Sequence, residues 1–180
     1  ECRRTAGDFL MKREYQYKVN GLETTVVYDD RTVEEIFLPM LQKWTELQQK
    51  LKRRVIVFLS APPGVGKTTT AQFLEYLSGQ EREILEIQAV GLDGFHYHQD
   101  YILTHEVCID GKKTAMKEVK GCPETFDIEK LKNKIAQLKK EDTKWPVYDR
   151  TIHDVIEDAV TVERQIVLVE GNWLLLNEAP

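Results

Sequence analysis

The chain has 180 residues and a net charge of -5, with 42% hydrophobic and 31% charged residues, the composition of one soluble globular domain long enough to bury a core. The acidic balance gives no electrostatic reason for a nucleic-acid partner, and no apolar run reaches the roughly 18 residues that cross a bilayer, so neither nucleic acid nor membrane is an expected partner. Cys2, Cys108 and Cys122 lack C-x-x-C spacing and read as free thiols, which together with the lack of an export signal predicts a cytoplasmic location.

The first fifteen or so residues show no clear period and read as a disordered start. Tyr15 to Val19 and Leu22 to Tyr28 flank Asn20-Gly21, a dipeptide suited to a tight primed turn, and predict a β-hairpin. Thr32 and Glu35 have capping-box spacing. Met40, Trp44, Leu47 and Leu51 then recur at helical spacing and predict one apolar face, with Pro39 kinking or restarting the helix. Residues 1–53 thus read as an N-terminal appendage, joined through the basic run Lys52-Arg53-Arg54 to a region of α/β rhythm over 54–180.

In that region Val55 to Leu59 is a continuous apolar run, the pattern of a parallel strand covered on both faces. A helix over Lys67–Leu77, a strand over Ile84–Leu92 and a helix capped by Asp127 follow. Ile128, Leu131, Ile135 and Leu138 form the stripe of the second helix. Asp142 to Trp145 reads as a connection, Ile166 to Val169 as a third strand, and Trp173 to Leu176 as core or the start of a helix. Strands alternating with helices predict an α/β fold, a doubly wound parallel sheet of P-loop NTPase type.

The strongest local signal is Ala61-Pro62-Pro63-Gly64-Val65-Gly66-Lys67-Thr68, a P-loop with Ala in place of the first Gly. Such a loop wraps a phosphate in backbone N–H groups, and the helix that follows, entered through Thr69, turns its positive end toward the anion. Lys67 is placed to reach the β- and γ-phosphates of ATP and Thr68 to ligate Mg²⁺. A guanine-reading N-K-x-D is not formed by Asn133-Lys134-Ile135-Ala136, and Leu77-Ser78-Gly79-Gln80 fits a helix end better than a transporter signature.

The second strand runs into Asp93, which therefore faces the crevice beyond the strand ends; its carboxylate suits either a general base or a water-mediated Mg²⁺ contact. The third strand ends at Glu170, the usual place for a metal-associated carboxylate. His96, Tyr97 and His98 follow Asp93. Without further ligands at metal spacing, a substrate-pocket reading of Tyr97 outweighs a metal one, and His98 reads as an exposed loop residue.

Asp93-Gly94-Phe95, Lys120-Gly121-Cys122-Pro123-Glu124-Thr125-Phe126-Asp127, Pro146-Val147-Tyr148 and Val169-Glu170-Gly171-Asn172 resemble, in order, motifs of the bacterial pantothenate kinases and the wider phosphoribulokinase/uridine kinase family. The resemblance spans residues 54 to 180 and implies an ATP- and Mg²⁺-dependent kinase with Asp93 as base. Tyr148 and His153 resemble the uridine kinase pattern, whereas Arg150 stands where those enzymes carry an aromatic residue. The mixture is similar to an uncharacterised bacterial nucleoside/nucleotide kinase-like branch whose members carry a fructose transport-system kinase label. Tyr97, Tyr148, Arg150 and His153 are the expected contacts to a small-molecule hydroxyl acceptor, and Arg150 has an ion pair with Asp149 or Asp154 as its alternative. A nucleotide-dependent binding module without acceptor chemistry is the rival reading. The resemblance also implies a lid beyond Pro180, and a homodimer is an assembly left open.

Overall fold

The computed structural model describes residues 11–19 and 22–176; the Asn20-Gly21 turn and Cys2 lie outside them. β1 (Lys12–Val19) and β2 (Leu22–Asp29) pair antiparallel, with Lys12 opposite Asp29 and Val19 opposite Leu22. Strand structure therefore starts at Lys12, inside the stretch read as disordered. Alternation explains it: Tyr15 and Tyr17 point inward while Glu14, Gln16 and Lys18 are exposed.

Asp29 closes β2 and caps the next helix, its carboxylate accepting the Thr32 N–H and hydroxyl at 2.8 Å each. The cap is thus Asp29, and Thr32 lies within the first turn. The helix runs as α1 (Asp30–Thr32), a π turn over Val33–Phe37, and α2 (Leu38–Leu51). Pro39 has no N–H for the carbonyl four residues back, and the wide turn ahead of it absorbs the mismatch. Met40 and Trp44 of the expected stripe pack against the core. Leu41 and Thr45 are buried, whereas Leu47 and Leu51 of the expected stripe are exposed.

Next come β3 (Val55–Ser60), α3 (Lys67–Ser78), β4 (Ile87–Gly91) and the short α4 (Gln99–Thr104). An antiparallel pair, β5 (Glu106–Ile109) and β6 (Lys112–Ala115), precedes α5 (Ile128–Leu138). A second antiparallel pair, β7 (Thr143–Asp149) and β8 (Asp154–Val162), leads into β9 (Ile166–Gly171). β3, β9 and β4 form a parallel sheet in that order.

The central strand β9 is buried along its whole length. Ile166 and Leu168 pack with Phe73 and Leu74 of α3 and Leu41 of α2, while Val167 and Val169 pack with Leu131 and Leu138 of α5 and with Trp145. Helices thus cover both faces, which is why the strand reads as an unbroken apolar run. The first cluster also contains Tyr17 and Val33, so the core continues without a break across Arg53 and Arg54. Asp127 caps α5 by accepting the Lys130 N–H at 2.9 Å.

Arg54 looked like part of a basic linker and is instead a buried tie. Its guanidinium donates to the carbonyls of Leu138, Glu141, Glu163 and Arg164 and pairs with Asp142, binding the end of α5 and the β8–β9 turn to the start of β3. The stretch entering Trp145 is a strand rather than a connection. Pro146 fits because the β7–β8 register slips between Trp145 and Val147, removing the ladder bond that proline cannot make. Trp173 to Leu176 form a turn, with Trp173 donating to the Gly121 carbonyl at 2.8 Å and Leu175 and Leu176 exposed. No described helix is long and apolar enough to cross a membrane.

Candidate active site

The loop between β3 and α3 turns on Gly64 and Gly66, at φ of 80° and 87°. These left-handed positions let consecutive N–H groups face one concavity. A cavity of about 370 Å³ opens there, walled by the loop with Lys67, Thr68 and Thr69 on one side and by Asp93, Arg150 and Glu170 on the other. Val65 points to solvent, Ala61 is half-buried, and the Pro62 carbonyl accepts the Lys67 ammonium at 2.9 Å.

Glu170, near the end of β9, is 8% exposed and accepts the Thr68 hydroxyl at 2.8 Å. Burial pushes its carboxyl above the usual range and the Asp93 charge adds to this, while the Thr68 hydroxyl, Lys67 and Arg150 pull it back. The hard-oxygen set formed by Thr68, Glu170 and Asp93 fits Mg²⁺, which takes one or two carboxylates and keeps its waters.

Asp93 is held by its surroundings rather than by its own bonds. The preceding Leu92 N–H donates to the Glu170 carbonyl at 2.8 Å, and Asp93–Phe95 form one tight turn. Gly94 lies directly under β7: a Cβ there would overlap the Pro146 carbonyl and stand 2.9 Å from the Val147 nitrogen. Trp145, fully buried, donates its indole N–H to the Gly91 carbonyl at 3.0 Å. The 120–127 motif supports the turn from the other side, with the Asp127 N–H on the Phe95 carbonyl at 2.7 Å and the Tyr97 N–H on the Thr125 carbonyl at 3.1 Å. His96 bonds the Asp93 carbonyl at 2.9 Å and packs 3.9 Å from the Phe126 ring centroid; burial holds its imidazole below the usual range.

A second cavity of about 290 Å³ adjoins the first, floored by Ala71, Ala89 and Trp145 and edged by Tyr148. Thr68, Asp93, Arg150 and Glu170 line both cavities. Arg150 makes no ion pair among the described residues; Asp149 instead accepts the Thr151 N–H and Asp154 the Gln99 N–H. The Tyr148 hydroxyl accepts from Lys120 at 3.0 Å.

Two expected contacts lie elsewhere. Tyr97 lines neither cavity, its ring tilted against that of Tyr101 with centroids 4.7 Å apart. His153 is exposed in the β7–β8 turn at φ 55°, placed by the turn and away from the cavities. His98 meets Asp154 and Glu157 at 3.3 and 3.1 Å. Trp145 was missed, because only long-range pairing brings it to the second cavity, and Lys120 reaches that cavity only through its bond to the Tyr148 hydroxyl.

No family model matches the chain. It is 41% identical over 161 residues to the uncharacterized protein YggC of Escherichia coli K12, covering 89% of this chain and 64% of that protein. Against a pantothenate kinase of Enterococcus faecalis it is 27% identical over 161 residues, covering 78% and 50%. The chain therefore spans half to two thirds of the length of these relatives. A solved structure of a candidate fructose transport system kinase from Silicibacter sp. TM1040 superposes with a TM-score of 0.57 at 28% identity, over 77% of this chain and 66% of that one. With a phosphate loop, an acidic strand end and these relatives, the chain belongs to the phosphoribulokinase/uridine kinase/pantothenate kinase family of P-loop kinases.

Proposed function

We propose that the protein transfers the γ-phosphoryl group of Mg-ATP to a hydroxyl of a small metabolite: a nucleoside, a sugar or a pantothenate-like compound. One observation carries this reading. Two adjoining cavities, one walled by the phosphate loop, share Thr68, Asp93, Arg150 and Glu170, so a donor and an acceptor can meet across these four side chains.

In this reading the loop amides and Lys67 hold the phosphates and stabilise charge as it spreads over the transferring group. Thr68 and Glu170 would hold Mg²⁺, which would supply charge neutralisation at the phosphates. Asp93 takes the proton of the acceptor hydroxyl; that oxygen bonds to the γ-phosphorus as its bond to the bridging oxygen breaks and ADP leaves. Arg150, with no ion pair of its own, offers a planar fork of donors to an anionic or polyhydroxylated acceptor.

The test is ADP release measured against a panel of nucleosides, sugars and hydroxy acids, with the phosphorylated product identified by mass spectrometry. Tight Mg-ATP binding with no transfer to any acceptor would refute the kinase reading and support a nucleotide-dependent binding module.

A further inference from the structure

The N-terminal hairpin and helix have no role in the chemistry so far, yet they grip α3 from end to end. At its first turn, the Tyr17 hydroxyl donates to the backbone carbonyl of Thr69 at 2.8 Å. In its middle, Tyr15, Tyr28 and Phe37 surround the fully buried Phe73, with ring centroids 4.8, 4.4 and 5.7 Å away. Beyond its far end, the Thr45 hydroxyl of α2 accepts the Leu85 N–H at 3.1 Å. Tyr17 and Thr45 are both buried, at 6% and 4% exposure.

We propose that Tyr17, within the clasp that β1, β2 and α2 form on α3, is the positioning residue for the turn carrying Lys67 and Thr68, while the far end of the clasp at Thr45 is structural. The proposal rests on the reading of that turn as a phosphate site. The Tyr17 ring already packs on Phe73 and stacks on Tyr76 at 5.7 and 5.4 Å, and a phenylalanine would do the same. The hydroxyl adds one thing, a directional bond to a carbonyl in the first turn of α3. That carbonyl has a helical N–H four residues on as its ordinary partner, so the bond is not needed for satisfaction. It fixes the rotation of the first turn about the helix axis. Thr68, one residue earlier, has its hydroxyl on Glu170 at 2.8 Å, and displacements of about 1 Å in such a constellation are costly.

The test compares Tyr17→Phe with Thr45→Val in the full chain. Each deletes one buried hydrogen bond of the clasp, but only Tyr17 touches the phosphate turn. Tyr17→Phe should raise KM for Mg-ATP about three- to ten-fold, the effect of one hydrogen bond, with kcat changed less, and should speed amide exchange in the first turn of α3. Thr45→Val should lower Tm with KM for Mg-ATP unchanged. An unchanged KM in Tyr17→Phe, or an equal rise in both variants, overturns the positioning role and leaves a merely structural clasp. If the wild-type protein turns over no ATP, the kinase reading fails by itself. The clasp is then judged on exchange, and identical first-turn exchange in Tyr17→Phe and wild type overturns it.

Discussion

Replacing Gly94 with alanine tests whether β7 truly positions the Asp93 turn. Gly94 has ordinary backbone angles, so the methyl group imposes no torsional strain. Its cost is contact alone. The added Cβ would stand 2.9 Å from the Val147 nitrogen and closer still to the Pro146 carbonyl, where relaxed neighbours sit about 3.5 Å apart. The obstacle is backbone, so β7 and the turn must separate by roughly 1 Å. Overpacking of this kind costs about 1–3 kcal/mol, a fall in Tm of roughly 2–12 °C for a chain of this size. The separation moves Asp93 relative to Tyr148 and Arg150 and leaves the phosphate loop in place. Acceptor kcat/KM should therefore drop about 100-fold while KM for Mg-ATP stays near wild type. Thermal denaturation and two-substrate steady-state kinetics measure both effects. A Gly94→Ala protein with wild-type Tm and acceptor kinetics would refute the packing argument.

Asp93→Asn keeps the shape and loses the proton acceptor, so the rate should fall about 100-fold or more with Mg-ATP affinity nearly unchanged; loss of nucleotide binding instead would make Asp93 a metal ligand. Arg150→Ala should raise the acceptor KM roughly ten-fold, the cost of a charged hydrogen bond, whereas His153→Ala, exposed and outside both cavities, should change neither KM. For Glu170, burial raises the folded-state pKa above the unfolded one, so its contribution to stability is present in acid and lost as pH rises through the folded value. Glu170→Gln should therefore melt above wild type at neutral pH without Mg²⁺, converge with it in acid, and lose stabilisation by Mg-ATP; melting curves across pH would show the opposite order if the carboxylate were instead stabilised in its charged form.

The parts of the fold legible in the sequence are those where local and tertiary demands agree. The run Ile166 to Val169 is apolar because α2 and α3 cover one face of β9 and α5 the other, whereas Val55 to Leu59, read the same way, leaves Phe58 exposed. Asp127 caps a helix that its own side chain can satisfy. The misread parts are those where a distant contact overrides the local signal. Pro146 argues against a strand until the register slip beside it is seen. The stripe Met40, Trp44, Leu47 and Leu51 is half right: Met40 and Trp44 pack against the core, while Leu47 and Leu51 are exposed because the buried line runs beside them through Leu41 and Thr45. Arg54 reads as a linker charge until five acceptors converge on it from two segments. At the site, Lys67, Thr68, Asp93 and Glu170 announce themselves by motif and strand end. Tyr97 and His153 also looked competent in sequence, but neither lines the two cavities: Tyr97 packs on Tyr101 and His153 lies exposed in the β7–β8 turn.

The four residues that line both cavities also set an electrostatic balance. Asp93 and Glu170 bring two negative charges, and Arg150 with nearby Lys67 brings two positive ones. A balanced site within a chain of net charge -5 has no strong field of its own to draw in a triphosphate. Attraction must then come from the aligned amides of the loop and the start of α3, and from a divalent cation carried with the nucleotide. Glu170 is suited to that division of labour: burial makes its lone charge unfavourable, and a cation arriving beside Thr68 relieves it. Asp93 shares its cavity wall with Arg150 and Glu170, and the Arg150 charge opposes the cost of the buried Glu170 carboxylate. In the proposed reaction Arg150 would then serve both halves, since removing it would withdraw a contact from the acceptor and leave the two carboxylates opposed by Lys67 alone.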